Sequence, residues 1–386
     1  MKLFVVAGEP SGDALGAALM AGLKALAPGV GFMGVGGPRM AAEGLESLFP
    51  MDELSVMGLV EVLPRYPALR RRLQQTVAAA LAAEPSALLT IDSPDFSLRV
   101  ARGVRAARPG LRTIHYVAPS VWAWRPGRAA KMARVIDHVL ALLPFEPPYM
   151  AAAGMSCDFV GHPIAAEPPA TAAEIAEFRA AHGIDGAAPV ILALPGSRPG
   201  EVARMSPVFG AALAQALAGR PQARVVVPTV PGVAEPVRAL AAGWPGRAVV
   251  VEAGTVPAST TRAAFAAGRA ALAASGTVSL DLAAAGVPMV IGWDAHWLTR
   301  AVLSRMVRVE SVTLVNLVSE TRAVPEFLGR DCRAGPLAVE LGRLLQDGPE
   351  RAAQISAMAL AMGRLGRGGE APGLRAARSV LSRIAR

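Results

Sequence analysis

Short, continuous apolar runs recur along this chain, each ending in glycine, proline and small polar residues. In the first half these are Leu3 to Ala7, Ser86 to Ile91, Arg112 to Pro119 and Ile136 to Leu143, with a shorter run from Gly31. In the second they are Val190 to Leu194, Arg224 to Pro228, Ala248 to Val251, Ala271 to Ala274 and Val287 to Gly292. Runs of this length without polar alternation predict strands buried on both faces of a parallel sheet. Helical stretches lie between them, the first from Ala14 to Leu26. Strand alternating with helix predicts a doubly wound α/β protein, whose ligands bind at the carboxyl ends of the strands.

The alternation halts at the proline- and alanine-rich stretch Glu167 to Ala170 and then restarts. That predicts a domain over 1–166 and another over 167–351, followed by an arginine-rich helical tail from Ala352 to Arg386. A chain of 386 residues is also too long for one small core. The segment from Ala270 to Trp293 has Asp281 as its one charge, but Gly276, Thr277, Gly286 and Pro288 divide it into strand, turn, short helix and strand. No membrane crossing is expected there. Leu3 already begins a strand, so no signal peptide is expected, and Cys157 and Cys332 give neither a disulfide framework nor a zinc spacing. A reducing cytoplasm is the expected compartment. The composition, 53% apolar with a net charge of +9, fits a well-buried globular protein. The basic excess suits nucleic acid, anionic lipid or a phosphorylated small substrate without choosing among them.

Candidate chemistry sits where the runs end. After Ala7, Gly8, Pro10 and Gly12 make a turn that places Glu9, Ser11 and Asp13 in a crevice, with Ser11 or Asp13 also able to cap the next helix. Gly36, Gly37 and Pro38 read as a turn where backbone approaches something closely. After Ile91, Asp92 is a candidate general base partly shielded by Pro94 and Phe96, or else a turn-capping aspartate. Asp92 and Asp95 stand three apart around a proline, which is not the D-x-D pair of metal-dependent sugar-nucleotide enzymes. Trp122 and Trp124 beside Arg125 can wall a sugar or acyl chain, or can be packing residues. In the second half, Gly196, Ser197 and Arg198 before a helix offer a seat for a pyrophosphate, without the lysine of a P-loop. Ser275, Gly276 and Thr277 form a second such turn, or else an ordinary helix N-cap, with Asp281 positioned to accept from a ribose.

One stretch differs in kind. Val56, Met57, Leu59, Val60, Val62 and Leu63 are followed by Arg65, Arg70, Arg71 and Arg72. Apolar residues beside an arginine cluster suit the surface of an anionic bilayer, and equally an ordinary amphipathic helix.

Taken in order, these motifs resemble the lipid-A-disaccharide synthase family over nearly the whole chain. The blocks are AGEPSGD (7–13), GGPRM (36–40), MGLVEVL (57–63), IDSPDF (91–96), HYVAPSVWAWR (115–125), LPFE (143–146), FVGHP (159–163), LPGSR (194–198), SGT (275–277) and NL (316–317). The chain departs from the family pattern at Ser97, Ala118 and Asp281, the last replacing a glutamate. The resemblance implies a metal-independent GT-B glycosyltransferase with two Rossmann-like domains facing across a cleft and no cofactor. It would join UDP-2,3-diacylglucosamine to 2,3-diacylglucosamine 1-phosphate (lipid X) in lipid A and lipopolysaccharide biosynthesis, inverting the anomeric centre and releasing UDP. Under it, Asp92 and Arg198 are catalytic, and Glu9, Ser11, Asp13, Arg39, Trp122, Arg125, Ser197, Ser275, Gly276, Thr277, Asp281 and Asn316 bind substrate. The apolar and arginine cluster would contact the inner membrane peripherally, nucleic acid would not be a partner, and the tail would cross back to the first domain. A homodimer is also implied. A UDP-sugar 2-epimerase-type enzyme shares this fold and UDP site, but it needs no acyl-binding surface.

Overall fold

The computed structural model describes residues 1–54, 59–123, 127–274, 276–295 and 311–384, with main chain alone at 59–65. The chain divides into two units, one made of residues 1–166 with the segment from Leu365 onward, the other of 167–364.

The first unit is built on seven strands: β1 (Lys2–Ala7), β2 (Gly31–Val35), β3 (Glu46–Ser47), β4 (Ala87–Ile91), β5 (Arg112–Tyr116), β6 (His138–Ala141) and β7 (Ser156–Phe159). They lie in the order β3-β2-β1-β4-β5-β6-β7, all parallel. The unbroken apolar run of β1 has a reason: Leu3, Val5 and Ala7 enter the core on one face, Phe4 and Val6 the core on the other. Burying such a side chain contributes about 1.5–3 kcal/mol, so a polar residue at any of these positions has no tolerable face. Ala7 pairs with Ile91, so the turns after β1 and β4 leave the sheet side by side.

The helix Pro372–Ile384 returns to this unit and packs on the helix Pro10–Leu26. The two come within backbone reach, since a Cβ on Gly22 would lie 2.6 Å from the Gly373 carbonyl oxygen. A polar clasp completes the joint. Ser379 Oγ donates to Asp158 at 2.7 Å and lies 2.8 Å from His138 Nε2, while Arg383 reaches the same carboxylate at 3.1 Å. Burial pulls the His138 imidazole down to about 4, which keeps it neutral at pH 7.

The tail expected from Ala352 is two helices. Gly366, Gly368 and Gly369 followed by Pro372 break it. Its first part, Pro349–Arg364, belongs to the second unit, where Gln354 Oε1 accepts from the Met289 amide at 2.8 Å.

The second unit repeats the plan with β8 (Val190–Leu194), β9 (Arg224–Thr229), β10 (Val249–Glu252), β11 (Ala270–Ala273), β12 (Met289–Trp293) and β13 (Glu326–Leu328), ordered β10-β9-β8-β11-β12-β13 and all parallel. The segment from Ala270 to Trp293 is strand, helix (Val278–Ala284) and strand, as its glycines and proline predict. Among the described residues no helix is long and apolar enough to cross a membrane.

Candidate functional sites

In each unit the strand order reverses beside its first strand, and the crevice at that reversal is where doubly wound sheets take ligands. In the first unit it lies between the turns Gly8–Glu9 and Asp92–Ser93. Asp92 and Ser93 both adopt left-handed backbone, with φ of +49° and +42°. The Ser93 hydroxyl donates to Glu9 Oε1 at 3.0 Å. Gly8 permits the approach, since a Cβ there would lie 2.9 Å from Ser93 Oγ. Asp92 is half-buried, and its carboxyl is pushed above the ordinary carboxylate range, first by burial and then by the charge of Glu9. Val117, just past β5, has φ +87°, a strained value for a β-branched residue. Strain of this kind concentrates at sites where geometry is imposed.

Asp13 does not join them. It is 3% exposed, and its carboxylate accepts the amides of Gly37, Arg39 and Met40, each at 2.9 Å. It therefore caps the short helix Pro38–Ala42, not its own helix. The helix Pro10–Leu26 starts at Glu9 without any side-chain cap, which corrects the capping expected of Ser11 or Asp13. The close approach expected at Gly37 is to this carboxylate, 2.7 Å from where a Cβ would stand. Ser11 and Arg39 are exposed.

Trp122 is half-buried, with its ring edge-on to Phe145 at 5.2 Å. Its indole N–H points to Glu146 Oε1 at 3.4 Å, and Glu146 Oε2 accepts the Leu143 amide at 3.0 Å. Burial pushes the Glu146 carboxyl up to about 7. Arg72 is held by its own chain: its guanidinium donates twice to Glu53, at 2.8 and 2.6 Å, and lies 4.6 Å over the Phe49 ring. That pairing ties Arg72, one of the arginines expected at the lipid surface, to an acid of its own chain. Arg70 and Arg71 are exposed. Val56, Met57, Trp124, Arg125 and Ser275 lie outside the described residues, as do the side chains of Leu59, Val60, Val62, Leu63 and Arg65.

The second crevice is a cavity of about 300 Å³ beyond β8, β9 and β11. Its wall carries polar residues at Gly196, Ser197, Glu201, Thr229, Thr261, Gly276, Thr277 and Asp281. It also carries Pro228, Val230, Ala253 and Phe265, apolar residues that suit the face of a planar ring. Gly196 and Gly276 have φ of +126° and +151°, which reserves both turns for glycine. Arg198 is the exposed residue at the start of the 18-residue helix Pro199–Ala216, whose positive end faces the turn. Asp281 is half-buried, its carboxyl pushed up to about 6 by burial and then by Glu167. Glu201 accepts from the Ser197 amide at 3.1 Å and from the Trp293 indole N–H at 3.1 Å. The Ser197 amide is thus engaged inside the protein. Neither Glu201 nor Trp293 was legible as a site residue, because their pairing spans 92 positions.

Asn316 is 3% exposed, donates to the Val324 carbonyl at 2.9 Å and accepts from the Val324 amide at 3.0 Å, pinning its loop. Among the described residues no group of three or more His, Cys, Asp or Glu is arranged to hold a metal ion.

By sequence, this chain is similar to known proteins of one family. The profile of the lipid-A-disaccharide synthetase family matches residues 3–365. A lipid-A-disaccharide synthase of Ruegeria pomeroyi is 62% identical, covering 100% of this chain and 96% of that protein. One from Rhodospirillum centenum is 49% identical over 100% of this chain and 95% of that protein. Among solved structures, the UDP-GlcNAc 2-epimerase of Neisseria meningitidis bound to UDP-GlcNAc superposes with TM-score 0.67 at 12% identity, covering 100% of both chains. At that identity the likeness concerns the fold alone, two Rossmann-like domains of GT-B type.

Proposed function

The chain belongs to the lipid-A-disaccharide synthetase family, and on that footing we propose that it is an inverting hexosyltransferase. It joins UDP-2,3-diacylglucosamine to 2,3-diacylglucosamine 1-phosphate, giving the β-1,6 disaccharide 1-phosphate and UDP. The observation that carries the mechanism is the contrast between the crevices. One holds a carboxyl made more basic by its surroundings, the other a cavity of about 300 Å³ beside two glycine turns, hydroxyls and the start of a long helix.

Asp92 takes the proton from the acceptor's 6-hydroxyl as that oxygen bonds to the anomeric carbon. The bond from that carbon to the UDP oxygen breaks on the opposite side, so a single displacement inverts the centre. Negative charge building on UDP is met by Arg198, the positive end of the helix Pro199–Ala216, and the Ser197 and Thr277 hydroxyls. Asp281 accepts from the ribose, and the apolar wall around Phe265 takes the uracil. The main chain beside Glu9 and Trp122 borders the acceptor.

The test is UDP release with and without lipid X. Release that requires lipid X is expected; release or sugar epimerisation without it favours the epimerase reading, which the fold likeness also accommodates. Peripheral association with the inner membrane, through the stretch from Val56 to Leu63 with Arg70 and Arg71, belongs to the same proposal. Arg70→Ser with Arg71→Ser should reduce sedimentation with anionic vesicles by about 1 kcal/mol per arginine, and less so at high salt. Unchanged binding would return this stretch to ordinary packing.

A further inference from the structure

Glu201 is a carboxylate in the wall of a cavity assigned to a diphosphate, where its charge alone should repel the ligand. Its contacts explain its presence. It lies in the first turn of the helix Pro199–Ala216, and its side chain turns back on the residues before the helix. Oε2 accepts the Ser197 amide at 3.1 Å and Oε1 accepts the Trp293 indole N–H at 3.1 Å. Ser197 follows β8, and Trp293 ends β12. Between those two strands in the sheet lies β11, from whose end Gly276 and Thr277 leave. One carboxylate thus bridges the two strands that flank the second anion-ready turn. The first turn is shaped to it, since Gly196 sits at φ +126° with its α-carbon against the Glu201 carboxyl, where any Cβ would overlap. One turn further along the same helix, Arg204 donates to the Asp294 carbonyl at 3.4 Å, a second tie to the end of β12.

We infer that Glu201 and Trp293 form a brace that fixes the Gly196–Ser197 turn in the shape that receives the diphosphate of the sugar nucleotide. Glu201 is a positioning residue. This rests on the reading of the cavity as the nucleotide site, and it predicts a sign opposite to simple electrostatics. Glutamine offers one carbonyl oxygen where the brace uses two separate oxygens, and its amide N–H would face a donor. Glu201→Gln therefore loosens the turn although it removes a repelling charge.

UDP and uridine are titrated into the wild type, Glu201→Gln and Trp293→Phe, by calorimetry and ligand-observed NMR, with thermal melts of each. Glu201→Gln should weaken UDP about tenfold, the loss of one charge-assisted hydrogen bond, and leave uridine within about twofold. Trp293→Phe removes only the indole donor and should weaken UDP about threefold, again sparing uridine. Equal or tighter UDP binding by Glu201→Gln would overturn the brace. So would an equal loss of both ligands, which marks a residue that merely holds the fold. A folded wild type that binds uridine but not UDP, or neither, removes the nucleotide-site reading itself and the brace with it.

Discussion

In both units strand order reverses beside the first strand, β1 against β4 in one and β8 against β11 in the other, so topology opens a crevice at the same place twice. The chemistry placed there differs. After β1 and β4 stand Glu9 and Asp92, two acids whose mutual repulsion adds to burial in raising Asp92. After β8 and β11 stand glycines at positive φ and hydroxyls, with Arg198 at the start of a helix and the acids Glu201 and Asp281 in the cavity wall. Topology supplies the place, and the first few residues past each strand set its chemistry, which under the proposed function is proton removal in one crevice and anion binding in the other.

The sharpest way to break this comparison is at Asp13, an acid beside the first crevice that is not part of it. Asp13→Ala leaves three amides, two of them buried, without their acceptor and should cost about 3 kcal/mol in denaturant unfolding. A loss under about 1 kcal/mol would return Asp13 to the crevice.

Next in size is Asp92→Asn, which should lower turnover at least about 10²-fold while UDP affinity stays unchanged. Its folded pKa lies above the unfolded value, so the stability it contributes is present in acid and lost as pH rises through the folded pKa. At pH 7 the asparagine variant should accordingly melt no lower than the wild type. A marked drop in melting temperature would make Asp92 a turn-capping residue. The smallest effect belongs to the neighbour: Glu9→Gln removes a repelling charge, so the acidic limb of kcat/KM should move to lower pH. An acidic limb that stays put would uncouple the two acids.

Strands were legible because burial on both faces forces a continuous apolar run, a local property; β8 was read to the residue. The turns were legible for the same reason, through Gly36–Gly37 and Gly196. What failed was the destination of side chains. Asp13 reaches amides 24 to 27 positions on, and Arg72 folds back 19 positions to Glu53. Asn316, although its partner is 8 positions away, closes a loop with no pattern of its own. The edge strand β13 is three residues between Pro325 and Gly329, too short to carry a period.

The helix Pro372–Ile384 has a consequence for how the molecule is made. Its seat on the helix Pro10–Leu26, where Gly22 meets Gly373, belongs to a unit interrupted after Ala166 and resumed at Leu365. At about 5–20 residues per second, a ribosome needs roughly 10–40 s to cross that gap of about 200 residues. Throughout that interval the N-terminal lobe waits on the nascent chain with one flank bare, while the inserted lobe, continuous in sequence, can finish folding first. The unit begun first is the last to close, and its bare flank is what a chaperone would meet.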